Sequence, residues 1–372
     1  MDRRDQDPAA AASPKPRRWR RRKMILGAGG LAASAPAALA LADWGWIASP
    51  AYQGPPTDHF DGKYFHNLRP LVGRGWRQMW RWRRQSRPGP WRPWTAASPG
   101  PAPPRRVDGA RLRVTYVNHA TTLIQTQGIN ILTDPTWSER CSPVGWAGPR
   151  RVRPPGLRYG DLPRIDLILL SHNHYDHLDL PTLARLERDH RPRLLCPLGN
   201  AQLLKRAGIR RGEDMDWWET RTVGPVRLWC VPAQHWSGRG LSDRGRTLWG
   251  GFVLTAPGGP VYFAGDTGDG PHFERIVDRV GAPRLALLPI GAYLPDWFMG
   301  PVHLSPLEAV RVHRRLRARV SLGIHFGTFR LADDGQDQPL EDLAAARRAE
   351  AVGEEDFWVL DFGQGREVPP TA

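Results

Sequence analysis

Three histidines and two aspartates fall within eight residues of the run Ser171-His172-Asn173-His174-Tyr175-Asp176-His177-Leu178-Asp179. Neutral imidazole and carboxylate are ligands for zinc and similar divalent metals. The run follows Ile165–Leu170, a continuous apolar stretch that reads as a buried strand. At the end of such a strand, His172 and His174 can face one metal while Asp176 and His177 face a second. Three further strand ends add donors: His235 after an apolar strand, Asp266 in Phe263-Ala264-Gly265-Asp266-Thr267-Gly268, and His325 in Gly323-Ile324-His325-Phe326-Gly327. A carboxylate has two oxygens, so Asp266 can serve both ions. One site is then His172, His174, His235 and Asp266; the other is Asp176, His177, Asp266 and His325. Two ions so placed lower the pKa of a shared water and can hold both the attacking and leaving oxygens of a phosphoryl displacement.

The elements that must position these residues are mostly strands. From Arg111 the chain reads as a hairpin around His119-Ala120, with a Gln127-Gly128 turn into a third strand. Helical spacing covers Leu180–His190, His272–Val280, Pro306–Leu316 and Leu340–Ala351, and Ser305-Pro306 followed by Glu308 is a helix start. Strands early and strand–helix alternation late predict an α/β fold with two sheets sandwiched between helices. No nucleophile elbow, phosphate-binding loop or dinucleotide fingerprint competes.

The N-terminal third has a different character. Of the net charge of +16 over 372 residues, residues 1–110 carry +13 (20 basic, 7 acidic) and residues 111–372 carry +3 (33 basic, 30 acidic). So neutral a body argues against nucleic acid as a partner. Three scattered cysteines exclude a disulfide framework. Residues 1–42 end a basic stretch in Arg21-Arg22-Lys23 and run on without charge from Met24 to Ala42, the pattern of a twin-arginine signal or a membrane anchor. Either places the body outside the cytoplasmic membrane, exported or membrane-associated on the periplasmic side. Residues 43–110 form a Trp/Arg/Pro-rich arm, in which Trp76, Trp80, Trp82, Trp91 and Trp94 alternate with arginines. Indole and guanidinium suit a membrane surface; a strap that packs its Trp rings on the body is the alternative.

The HxHxDH run with its downstream His, GDTG and late His resembles the metallo-β-lactamase superfamily. Asn118-His119-Ala120-Thr121, PLGN at 197–200, PAQHW, PIGAY at 289–293, Trp297-Phe298-Met299, His303 before Pro306-Leu307-Glu308-Ala309-Val310, and IHFGTF are more specific. They look like the N-acylphosphatidylethanolamine-hydrolysing phospholipase D family, in family order over residues 111–365. The resemblance implies an αββα four-layer sandwich over 111–372 with two zinc ions per chain. It also implies a phospholipid substrate cleaved to phosphatidic acid and an N-acylethanolamine by a metal-bound hydroxide. The seven donors match metal ligands, Asp176 and Asp266 among the catalytic groups. His303 matches a histidine near the substrate phosphate, with Tyr175 and Tyr293 lining the pocket. His119 reads as a core histidine that ties the first hairpin to the site. Val302, where the family leads one to expect a polar residue, and the long basic N-terminus set this chain apart. A hydrolase of another ester, such as a lactone, and a membrane-surface binding protein with a vestigial metal site are the competing readings.

Overall fold

The structure is a computed structural model that describes residues 47–71 and 75–371. The signal or anchor segment, 1–42, lies outside the described residues. Among those described, no helix is long and apolar enough to cross a membrane.

Two seven-stranded mixed sheets face each other. The first contains β1 (Leu112–Asn118), β2 (Thr121–Thr126), β3 (Ile129–Thr133), β4 (Leu167–Leu169), β5 (Arg193–Pro197), β6 (Gly212–Met215) and β14 (Gly365–Glu367), in the order β14-β1-β2-β3-β4-β5-β6. The second holds β7 (Thr220–Val223), β8 (Val226–Val231), β9 (Gly251–Thr255), β10 (Val261–Phe263), β11 (Leu285–Pro289), β12 (Val320–Ile324) and β13 (Phe357–Trp358), in the order β13-β12-β11-β10-β9-β8-β7. The hairpins β1-β2, β2-β3 and β7-β8 pair antiparallel, as does β8 with β9 across the long 232–250 loop, whereas β3-β4-β5 and β10-β11-β12 pair parallel through helices or long crossovers. The Gln127-Gly128 turn has both residues at positive φ, as a tight hairpin requires.

Period-two alternation decides which side chains face which layer. Ile124, Ile131, Leu167 and Leu195 enter the core between the sheets, while Leu123, Leu132, Ile168 and Leu194 point outward. The outward set is covered by α2 (Leu180–His190) and α3 (Asn200–Arg206). The far sheet is covered by α4 (His272–Val280), α6 (Pro306–Arg315) and α7 (Gln338–Ala349). This is the expected αββα sandwich. Ser305 caps α6, with Glu308 reaching back to the Ser305 amide at 2.8 Å.

The arm folds onto the body. Phe60 and Phe65 are buried in the large hydrophobic cluster of the body, and Arg106 is paired with Asp166. The sequence predicts no helix here, yet Trp76–Gln85 forms one, α1. Trp82 stacks on Phe298 of the short α5 (Asp296–Met299) at 5.1 Å and donates to Asp333 at 3.2 Å. Trp80 and Met79 stay exposed. Helix and loop thus form a wall beside the strand ends that carry the histidines.

Candidate metal centre

All seven predicted donors meet at one end of the sandwich. His172, His174, Asp176 and His177 leave β4, His235 follows β8, Asp266 follows β10, and His325 follows β12. The turns are demanding. His119, Asp134 and His325 hold positive φ of 46°, 31° and 65°, in a region costly for non-glycine residues. Gly265, at φ +62°, leaves no room for a side chain: a Cβ there would lie 2.4 Å from the Ser171 Cβ.

The donor atoms fall into two groups. His172 Nε2 lies 2.8 Å from His174 Nδ1, which lies 3.3 Å from His235 Nε2. In the other group, Asp176 Oδ2 is 3.3 Å from both His177 Nε2 and His325 Nε2, and Asp266 Oδ2 is 3.2 Å from the same two nitrogens. Donors about 2.0–2.1 Å from a tetrahedral zinc stand about 3.3 Å apart. The second group therefore has the edges of such a coordination shell. The shared atom, Asp266 Oδ2, reaches towards the first group as well, 3.8 Å from His235 Nε2. Asp266 Oδ1 is buried without a hydrogen-bond partner, an unfavourable state that a cation would relieve. The residues present fit two divalent ions.

Electrostatics distinguish the two groups. Burial, then His177, His174 and His235, hold His172 well below the usual imidazole range. Burial is also the main reason that His174 and His235 fall to about 3. The first group is thus three neutral imidazoles. Burial acts the same way on His177 and His325, but is overcome by carboxylates. Asp266, Asp176 and Asp134 hold His177 well above its ordinary value, and Asp266 with Asp176 raises His325 to about 9. Burial would raise Asp176 and Asp266, yet His177 and its neighbours keep both well below the carboxylate range.

Partners behind the donors orient them. Asp134 was missed by sequence reasoning. It is fully buried, 2.6 Å from His177 Nδ1 and 2.5 Å from Ser171 Oγ, and that hydroxyl is 2.9 Å from His172 Nδ1. One carboxylate thereby steadies a histidine of each group. Its position at the end of β3, in Thr133-Asp134-Pro135, was the available signal. His119 is buried with Nε2 2.9 Å from Asp176 Oδ2, a tie between the first hairpin and the site.

A cavity of about 320 Å³ opens onto the donors. His174, Asp176, Asp266, His325 and His303 form its polar end, and Met79, Trp82, Phe298, Met299 and Leu331 an apolar wall. His303 Nδ1 is 3.8 Å from Asp266 Oδ2. Tyr175 lines the cavity as predicted. Tyr293 does not: Ala292, at φ 59°, faces the cavity and turns the next residue away, so the Tyr293 hydroxyl bonds Asp342 on α7. The departure at Val302 does not reach the cavity either. Its side chain is buried, and its carbonyl lies 2.9 Å from His235 Nδ1, a contact open to any residue. Trp236 and Arg244 are lining residues that the sequence did not reveal.

A family model described as a beta-lactamase superfamily domain matches residues 129–326. The N-acyl-phosphatidylethanolamine-hydrolyzing phospholipase D 1 of Caenorhabditis elegans is 37% identical over 269 residues, 68% of this chain and 75% of that one. The chain belongs to the metallo-β-lactamase superfamily, in its N-acylphosphatidylethanolamine-hydrolysing phospholipase D-like family. An uncharacterized protein of Mycobacterium tuberculosis is similar too, 40% identical over 252 residues, 66% of this chain and 67% of the other. Among solved structures, isothiocyanate hydrolase from Delia radicum gut bacteria matches with a TM-score of 0.54 at 19% identity, over 68% of this chain and 98% of that one, a likeness of fold. A family member with these clustered donors is a metal-dependent hydrolase.

Proposed function

We propose that the protein is a dinuclear zinc phosphodiesterase that hydrolyses N-acylphosphatidylethanolamine-type phospholipids to phosphatidic acid and N-acylethanolamine. The observation that carries the proposal is the pair of donor groups joined by Asp266 at the floor of a cavity whose wall is apolar. The first ion is assigned to His172, His174, His235 and Asp266, the second to Asp176, His177, His325 and Asp266. Two such ions supply Lewis acids for phosphate oxygens and a nucleophile at neutral pH. His303, at the cavity edge beside Asp266, suits protonation of the leaving alkoxide or its positioning. Tyr175 borders the head-group end, and Met79, Trp82, Phe298 and Met299 offer an apolar chain the surface it needs. The name of the Caenorhabditis elegans relative supports the same substrate class.

The arm brings this cavity to a membrane surface. Met79, Trp80 and Trp297 are exposed near its rim, among Arg83, Arg84 and Arg87. The segment 1–42 acts as export signal or anchor, with the body on the periplasmic side. Hydrolysis in heavy-oxygen water tests the reaction. The label is expected in phosphatidic acid, with the released N-acylethanolamine unlabelled. Label in a fatty acid would mean carboxylic ester cleavage and would overturn the phosphodiesterase reading.

A further inference from the structure

Four consecutive residues, His174 to His177, carry three of the donors and bridge the two groups. The carbonyls on either side of them, Asn173 O and Leu178 O, both accept from one nitrogen, Arg239 Nη1, at 2.9 Å each. The same guanidinium lies 3.7 Å from the ring centre of Tyr175, the loop residue between two donors. Arg239 is itself held. Its amide donates to the Asp243 carboxylate at 3.0 Å, and the neighbouring Gly238 amide donates to Asn173 Oδ1 at 2.7 Å. Asp243 also takes the Ser49 amide at 2.7 Å, which ties this segment to the arm. We infer that Arg239 is a positioning residue that closes the 173–178 loop into a ring and so sets the spacing of His174 against Asp176 and His177.

The physical reason lies in the loop. The His174 carbonyl accepts from the His177 and Leu178 amides within the loop, but the Asn173 and Leu178 carbonyls belong to buried residues with no strand to pair with, a costly state if left unmet. A cation that donates to both satisfies them and ties the two ends of the loop together. The planar guanidinium also stacks on Tyr175, which a compact ammonium does less well.

The inference rests on reading His174, Asp176 and His177 as metal ligands, and the test separates the two ideas. Full-length protein is stripped of metal and titrated with cobalt(II), reading stoichiometry, affinity and the visible spectrum. Wild type that fails to take up two ions sinks the ligand reading itself. Given two ions in wild type, Arg239→Ala is expected to bind at least one of them ~10-fold or more weakly, the usual effect of losing a group that orients ligands, with a changed spectrum. Added guanidinium should restore the spectrum and Arg239→Lys should recover it in part. Wild-type affinity and spectrum in Arg239→Ala would overturn the clamp. Should Arg239→Ala not fold, Arg239→Met fills the volume without donating and is judged by the same two readouts.

Discussion

Burial alone would push a carboxylate to take up a proton; Asp176 and Asp266 instead lie well below their usual range because charged histidines, His177 foremost, lie against them. His177 and His325 therefore bind protons that a metal must displace. With the pKa of His325 near 9 and that of His177 raised, both are protonated at pH 7 in the metal-free protein. Metal uptake at pH 7 should release protons, and affinity should rise with pH until the folded pKa values are passed. Release measured in weak buffer with an indicator dye checks this; uptake without release would contradict the ion-paired second group. The same logic ranks the substitutions. Asp266→Ala, which removes the oxygen common to both groups, should lower metal content from two ions towards none. His303→Ala should keep both ions while turnover falls by about 10²-fold, the usual scale for a general acid. Elemental analysis beside a rate assay on each variant distinguishes the two roles.

Elements earn their place by where they end. β4, β8, β10 and β12 stop at one edge, and the donors sit beyond those ends, in the loops that turn inward. Positive φ at Gly265 and His325 makes that turn after β10 and β12, and Asp134 turns likewise after β3 to back the site. The arm is bound to this frame by a buried histidine. His59 stacks on Trp217 at 4.4 Å, with Nε2 2.8 Å from Asp216 and Nδ1 2.5 Å from Asp58. Burial lowers its pKa, but the two aspartates reverse this and leave it raised. A raised folded pKa stabilises below the unfolded value of about 6.5 and ceases to do so as pH climbs through the folded value. Wild type should thus lose stability from this contact as pH rises above about 6.5 and through the raised folded value. Denaturant midpoints should show that loss, and His59→Gln should flatten it. An equal slope in the variant would remove His59 as the source.

At the scale of the molecule, a basic stretch of the arm runs along the helix that walls the cavity. Arg83, Arg84 and Arg87 are exposed on or beside α1, whose Met79 and Trp82 line the cavity. Each basic residue near an anionic membrane is worth about 1 kcal/mol. Reversing all three to glutamate should weaken binding to phosphatidylserine-containing vesicles at least tenfold, with most of the difference vanishing in high salt. Hydrolysis of a soluble phosphodiester should stay within about twofold. Unchanged vesicle sedimentation would make the arm a structural strap alone.

Much of the site was legible because its donors sit in strand-end clusters, where local chemistry and a buried apolar strand point the same way. Leu180–His190 and His272–Val280 were likewise readable to the residue, since amphipathic spacing and end signals agree within one segment. What the chain alone could not decide depends on distant partners. β6 and β7, Gly-Glu-Asp-Met and Thr-Arg-Thr-Val, are edge strands without an apolar pattern, and exist because β5 and β8 supply their hydrogen bonds. The helix in the arm needed Phe298 and Asp333 to hold Trp82. Asp134 is a strand-end carboxylate like many others until folding sets it 2.6 Å from His177. Tyr293 looked like a pocket residue until the turn at Ala292 aimed it at α7. Residue types and local spacing thus determined which groups do the chemistry, while their distances, sharing and orientation were decided by contacts between segments far apart in the chain.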